Sequence, residues 1–281
     1  GSFLAAVHLE QDKMALTSVV ASPEGGLWMW RSLLAQYSFA NSLSTQAVLP
    51  QLAPEGADAK VVVRLHGGTD FAGIIDHQVR VSVNGVALGT CSWDGIVPYT
   101  AEMTCSPDTL LEGANTIEVL ALLPDGVSES VCYVDWIDIH YPRHFAARDN
   151  QLVFTSSTGD DVVTVTGFTR PDVHVLDVTD PERTRVLSGV TLSAAADGTH
   201  AVSFAPGLVG RVLAAFCPSA VAQPAGTGVA PSGLGDWRTC AEHVIIAVPE
   251  MLEVAQALAD HRTSTGLASI VVNLQDARAK H

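Results

Sequence analysis

The chain has 281 residues, a length that predicts two domains or one domain with an appendage. Its formal net charge is −15, from 15 Lys and Arg against 30 Asp and Glu, so nucleic acid is excluded as an expected partner. Apolar residues make up 47% and charged residues 16%, which excludes general disorder and a coiled coil. The apolar runs are far shorter than the roughly 20 residues that a membrane span requires, so none is expected.

A jelly-roll-like β-sandwich is predicted over residues 1–143. Short β-rich runs between Lys60 and Tyr141 are separated by turn residues, a spacing typical of sandwiches. Asn84-Gly85 stands between two alternating runs and predicts a two-residue hairpin turn with positive φ angles. The aromatic-rich segment from Trp28 to Leu43 is expected to add an edge strand or a lid over the core.

A second β module is predicted over residues 144–222. It contains several β-rich runs, and its size is about that of one immunoglobulin-like module. Residues 223–240 are rich in Pro and Gly, a composition that cannot bury apolar area and therefore predicts a linker.

The last segment, residues 241–281, has a different pattern. The apolar run His243–Pro249 is typical of a parallel strand covered on both faces. Helical spacing then relates four apolar residues, which predicts that they share the buried face of a helix: Leu252, Ala255, Leu258 and Ala259. Gly266 supplies a helix stop, and Ile270–Val272 returns as a second strand. One β-α-β unit has too little core to stand alone, so we expect the chain to be the N-terminal portion of a longer protein.

Several segments resemble landmarks of gingipain-like cysteine peptidases, family C25, in the order of that family. They are Val134–Arg143, Pro171–Pro181, His243–Val248, Leu258–Arg262 and Gly266-Leu267. The resemblance covers residues 25 to 276, and Ala277–His281 departs from it. It implies a caspase-like α/β domain with a His–Cys dyad downstream of its first β-α-β unit. No catalytic residue is therefore assigned within this chain.

The five cysteines show no C-x-x-C spacing, which argues against a zinc or redox motif. Cys91 and Cys105 lie symmetrically about Pro98, so a hairpin there predicts a disulfide between them. Cys217 and Cys240 bracket the linker and are a second candidate pair. Cys132 is expected to be a small buried hydrophobe. A disulfide would indicate a secreted or cell-surface protein.

Two other candidate sites remain open. Asp135 falls among alternating apolar residues, so its carboxylate is expected to be hydrogen-bonded or ion-paired, with a structural Ca²⁺ site as the alternative. Trp28, Trp30 and Trp93 are expected to be core residues, with an aromatic platform for a glycan as the alternative. The ten histidines are scattered and show no metal-binding spacing.

These observations leave three functional hypotheses. The first is a non-catalytic N-terminal region of a secreted gingipain-like peptidase, with its own downstream peptidase domain as partner. The second is a β-sandwich module that binds a cell-surface glycan or protein. The third is a processed chain that completes a cysteine peptidase together with a downstream polypeptide. No cofactor is expected apart from the alternative Ca²⁺.

Overall fold

The computed structural model describes residues 1–16, 28–157, 161–223 and 241–278. Its contacts divide the chain into two compact units, Gly1–Val221 and Ala222–His281. The predicted linker lies outside the described residues, except for Gln223. In the described ranges no helix is long and apolar enough to cross a lipid bilayer. The protein is mainly β, as predicted.

The first unit begins with a sandwich of two antiparallel sheets. One sheet has the order β10-β7-β12-β4-β5, with β1 also paired to β12, and the other has the order β6-β11-β8-β9. Most successive strands lie in opposite sheets, which is the jelly-roll-like arrangement expected from the sequence. The strands are β1 (Ser2–Glu10), β2 (Met14–Ala15), β3 (Trp28–Met29), β4 (Arg31–Gln36), β5 (Phe39–Ala40), β6 (Ser42–Leu49), β7 (Ala59–Gly67), β8 (His77–Val83), β9 (Val86–Trp93), β10 (Pro98–Cys105), β11 (Gly113–Leu122) and β12 (Glu129–His144).

The core of this sandwich lies between the two sheets. Alternate residues of each strand point inward, because successive side chains of a strand point to opposite faces. The inward residues of two facing strands are each at most 1% exposed: Val61, Val63 and Leu65 from β7, and Val79, Val81 and Val83 from β8.

The predicted hairpin joins β8 to β9. Asn84 has a φ of 50° and Gly85 a φ of 80°, and Val83 pairs with Val86 across the turn. The Asn84 amide also donates 2.8 Å hydrogen bonds to Asn115 Oδ1 and to the Thr109 carbonyl. The sequence prediction is therefore confirmed, and the turn is fixed to the adjacent loop.

Strand β12 contains an irregularity that the sequence did not indicate. Its register with β7 shifts between Val134 and Ile137. Before the shift Cys132 and Val134 are buried, whereas after it Ile137 and Ile139 are buried. Such a β-bulge exchanges the faces of all following side chains, so strict alternation along this strand was a wrong expectation.

The rest of the first unit is a smaller two-sheet module with its own core. The sheet orders are β13-β19-β15-β16 and β14-β18-β17, and sheets of four and three strands match an immunoglobulin-like module. Phe3 of β1 belongs to this second core. The strands are β13 (Gln151–Thr155), β14 (Val163–Phe168), β15 (His174–Asp177), β16 (Arg185–Val186), β17 (Thr191–Ala194), β18 (His200–Phe204) and β19 (Val212–Phe216).

The second unit contains the predicted β-α-β segment. Strand β20 (His243–Ala247) pairs in parallel with β21 (Ser269–Asn273), and helix α1 (Leu252–Ser264) connects them. Helix α2 (Leu274–Arg278) follows β21 directly. Helix α1 ends at Ser264, and Gly266, two residues later, has a φ of 98° and donates its N–H to the Thr263 carbonyl. The Leu267 N–H donates to Arg262, which completes a Schellman motif and confirms the predicted stop.

Candidate functional site

The strongest candidate site is an apolar surface of the two-stranded sheet β20–β21. His243, Ile245 and Ala247 alternate with Val244 and Ile246 along β20. Ala247 is buried, while Val244 is 51% and Ile246 61% exposed. One face of the sheet is thus covered and the other is open.

Helix α1 covers its face of the sheet with small side chains. Ala255 is 7% and Ala259 1% exposed, whereas Val254 and Leu258 are exposed. Leu258 was expected to face the sheet together with the two alanines, and the structure corrects this. Because alanine permits close approach, the helix lies directly on the strands and turns its larger apolar side chains outward.

The opposite face, called the far face here, carries four β-branched side chains. In the parallel register Val244 lies beside Ile270, and Ile246 lies beside Val272. Register partners in a sheet share a face, so the four form one aliphatic patch on the side away from α1. Parallel sheets are normally covered on both faces, so this patch has the character of a docking surface.

The described thiols have the properties of buried side chains. Burial raises the pKa of Cys132 to about 12 and that of Cys91 to about 11. Burial also raises the pKa values of Cys105 and Cys217. A nucleophilic cysteine needs the opposite shift, so these four side chains are protonated and poorly reactive at neutral pH. Cys240 lies outside the described residues.

The predicted disulfide between Cys91 and Cys105 is absent, and both cysteines are free thiols. The two strands that carry them do not form a hairpin. Cys91 pairs with Val79 in one sheet, while Cys105 pairs with Ala59 in the other. Cys217 is also free, and its proposed partner Cys240 is not among the described residues.

The alignment of β9 and β10 gives the physical reason. The Trp93 ring stacks on the Tyr99 ring at 4.9 Å, and Gly89 lies against the Met103 sulfur. This register places the two cysteines four residues out of alignment, which is about 13 Å along a strand. The turn between β9 and β10 is therefore centred before Pro98. A disulfide between Cys91 and Cys105 would require the two strands to shift along each other by this distance.

No family model and no curated protein matches the sequence. Among solved structures, the chain is similar to dimeric latent PorU from Porphyromonas gingivalis, with a TM-score of 0.64 and 13% identity. That match covers 97% of this chain and 26% of the PorU chain, so this chain spans about a quarter of PorU. At this identity the likeness concerns the fold alone.

Two carbohydrate-binding modules match the chain less closely. The module CBM36 in complex with calcium and xylotriose has a TM-score of 0.30 and 19% identity, covering 48% of this chain and 98% of its own. The C-terminal CBM6 of LamC from Zobellia galactanivorans has a TM-score of 0.28 and 12% identity, covering 48% and 98%. Scores this low support no inference about a ligand.

The three tryptophans do not form a platform for a sugar ring. Trp30 is 5% and Trp93 6% exposed, whereas Trp28 is 49% exposed. Trp93 lies between Tyr99 and the His77 ring, whose centroid is 4.7 Å away. The expectation of core packing is therefore correct for two of the three, and the glycan hypothesis loses the surface on which it was based.

Asp135 lies at the bulge of β12 and is 9% exposed. Desolvation raises the pKa of its carboxyl, and the negative charge of Glu10 adds to this, while Arg64 opposes it. Among the described residues there is no group of three or more metal-ligating side chains at Asp135 or elsewhere. The positive charge of His8 also opposes the raised pKa of Asp135. The suggested Ca²⁺ site has no ligand set among the described residues.

A second surface lies at one end of the first sandwich and was missed from the sequence. The Asp76 carboxylate, fully buried, accepts hydrogen bonds from the Phe71 N–H at 2.8 Å and the Gly95 N–H at 2.9 Å. These hydrogen bonds connect the loop before β8 to the loop between β9 and β10, and they hold the apolar side chains of both loops at the surface. The signal available in the sequence was Ile74-Ile75 beside Gly73 in a segment with no strand pattern.

Proposed function

We propose that the chain is a non-catalytic N-terminal region of a gingipain-like cysteine peptidase, which supports and positions the peptidase domain. The observation that carries this proposal is the exposed far face of the β20–α1–β21 unit. A two-stranded parallel sheet with one aliphatic face open to water lacks half of the cover that such sheets require.

Further strands and helices of an α/β domain are the natural cover for this surface. They would extend the sheet along its open edges and bury Val244, Ile246, Ile270 and Val272 under a second layer. The sequence resemblance covers residues 25–276, and the likeness to gingipain-related PorU covers 97% of the chain. Both support a role in which this segment begins a larger domain.

The β modules would act as the rigid support. They form one compact unit, Gly1–Val221, in which Phe3 from the first strand is buried in the second core. Because three of the four described thiols are buried and Cys91 is half-buried, and burial raises the pKa of each, the proposal assigns the peptidase nucleophile to a downstream polypeptide. A secreted or cell-surface location is part of the proposal and depends on the family resemblance.

The test compares the 281-residue chain with the same chain extended by the polypeptide that its gene encodes downstream of His281. We expect amide hydrogen exchange in residues 243–247 and 269–273 to slow strongly in the extended protein. Only the extended protein should hydrolyse Arg- or Lys-containing peptide substrates. A reading frame that stops at His281, unchanged exchange, or hydrolysis by the 281-residue chain would each overturn the proposal.

A further inference from the structure

Six large apolar side chains are exposed at one end of the first sandwich, which we call the apolar end. The registers of the paired strands show which strand ends meet at this end of the sandwich. They are the last residues of β4, β7, β9 and β11 and the first residues of β5, β8, β10 and β12. The exposed fractions are 97% for Tyr37, 51% for Phe39, 38% for Ile74, 52% for Ile75, 44% for Ile96 and 45% for Val97.

The exposure of these side chains is fixed by the backbone. Asp76 holds the loop that carries Ile74 and Ile75 against Gly95, the residue before Ile96. The Gly67 N–H donates to the Val97 carbonyl at 3.0 Å. Loops anchored in this way hold Ile74, Ile75, Ile96 and Val97 at the surface, so this part of the apolar end is a preformed surface.

A groove of about 330 Å³ opens beside this surface. Aliphatic side chains form its walls, and a polar pair, the Gln78 amide donating to Ser92 Oγ at 3.2 Å, lies between them. Asp125 contributes a carboxylate. The lining residues are Ile74, Ile75, Gln78, Ser92, Leu123, Pro124 and Asp125, and none of these has an aromatic ring on which a sugar could stack.

The charges of the apolar end have one sign. The loops 68–76, 94–97 and 123–129 contain Asp70, Asp94, Asp125 and Glu129, besides the buried Asp76, and contain no Lys or Arg. His77 does not offset them, because burial lowers its pKa and leaves it neutral. Strand β8, which contributes Gln78 to the groove, carries one positive charge, Arg80, two residues farther along the chain.

We propose that the apolar end binds a basic, aliphatic peptide segment of a protein partner, with the aliphatic side chains in the groove and Lys or Arg side chains on the acidic rim. Charge complementarity favours this partner over an anionic membrane, which the carboxylates would repel. Tyr37 and Phe39 are not among the residues that line the groove, so the groove offers no aromatic ring to a sugar, which disfavours a glycan there. No residue of this site belongs to the far face, so the proposal does not depend on the peptidase role.

The test uses the 281-residue chain and three fluorescent peptides of equal length, with alternating Leu and Lys, Leu and Glu, or Ser and Lys. We expect binding of the Leu-Lys peptide only, with affinity that falls as salt is added. Ile75→Ser and Asp125→Lys should each weaken this binding by about fivefold or more. The matched control is Val86→Ser, because Val86 is 52% exposed at the opposite end of the sandwich and should leave affinity unchanged.

Circular dichroism checks that each variant is folded. If Ile75→Ser does not fold, the binding measured for Asp125→Lys tests the proposal. The proposal is overturned if the Leu-Lys peptide does not bind or if the Leu-Glu peptide binds equally. It is also overturned if both variants bind like the parent chain. Preferential binding of anionic phosphatidylserine vesicles or of xylan would replace the peptide with a different partner and would overturn it as well.

Discussion

At the scale of single residues, burial decides the chemistry of the cysteines. A buried thiol stays protonated because its thiolate would lose hydration, and Cys132 is the clearest example, since its pKa is raised to about 12. The same burial that makes these side chains useful in a core makes them poor nucleophiles.

Alkylation should show that Cys91 and Cys105 are free. When the chain is unfolded in alkylating reagent without a reductant, we expect both cysteines to be labelled, because their strands are out of register for a bridge. Peptide mass spectrometry measures this. Alkylation of the native chain at pH 8 should leave Cys132 unlabelled, whereas a disulfide-linked peptide containing Cys91 and Cys105 would contradict the structure.

His8 should make stability depend on pH. Hydrogen bonds to Glu10 and Asp138 raise the pKa of His8 above 6.5, and its Nδ1 lies 2.6 Å from Asp138 Oδ1. The folded state therefore favours the charged imidazole, and this stabilisation is full below pH 6.5 and is lost as pH rises through the raised pKa.

Urea unfolding of the parent chain and of His8→Gln at several pH values measures this effect. We expect the difference in unfolding free energy between the two proteins to shrink as pH rises from 6 toward 8. Asp138→Asn should reduce the pH dependence because it removes one of the two carboxylate partners. Parallel pH profiles for the parent chain and His8→Gln would contradict the assignment.

At the scale of elements, β1 connects two cores. Its residues from Ser2 to Glu10 pair with β12 of the first sandwich, yet Phe3 packs in the second core, 5.0 Å from the Phe145 ring and 5.5 Å from the Phe154 ring. The strand therefore fixes the two β modules to each other with one continuous backbone.

Phe3→Ala should destabilise the first unit by about 3 kcal/mol or more, as removal of a buried aromatic side chain does. Leu4→Ala is the matched control, because Leu4 is 58% exposed on the other face of the same strand and should change stability by less than about 0.5 kcal/mol. Chemical denaturation followed by tryptophan fluorescence measures both. Equal effects of the two substitutions would exclude this role for Phe3.

At the scale of the whole molecule, we expect the exposed aliphatic side chains of the far face to promote self-association of the chain. The double variant Val244→Ser, Ile246→Ser should bind less of a hydrophobic dye and self-associate less than the parent chain. The reason is that it removes two exposed aliphatic side chains, since Val244 is 51% and Ile246 61% exposed. Val153→Ser with Val186→Ser is the control, with exposed fractions of 56% and 78% in the second β module. Sedimentation velocity should show no such decrease for the control.

Elements with local sequence signals were predictable before the structure was known. Asn84-Gly85 required a hairpin because those residues adopt positive φ most readily, and Gly266 ended a helix for the same reason. The order of two β modules and a β-α-β segment followed from a change in hydrophobic period, which depends only on neighbours along the chain.

Contacts between side chains from different strands could not be predicted in the same way, because they depend on how the strands are aligned in three dimensions. The bulge in β12 changes the face that Asp135 presents, and the offset of β9 against β10 separates Cys91 from Cys105. The bulge is set by the pairing of β12 with β7, which is distant in sequence, and the offset arises because β9 and β10 lie in opposite sheets. A one-residue difference in register exchanges the faces of a whole strand. The apolar end has the same origin, because its loops are brought together by strand order and fixed by the buried Asp76 carboxylate.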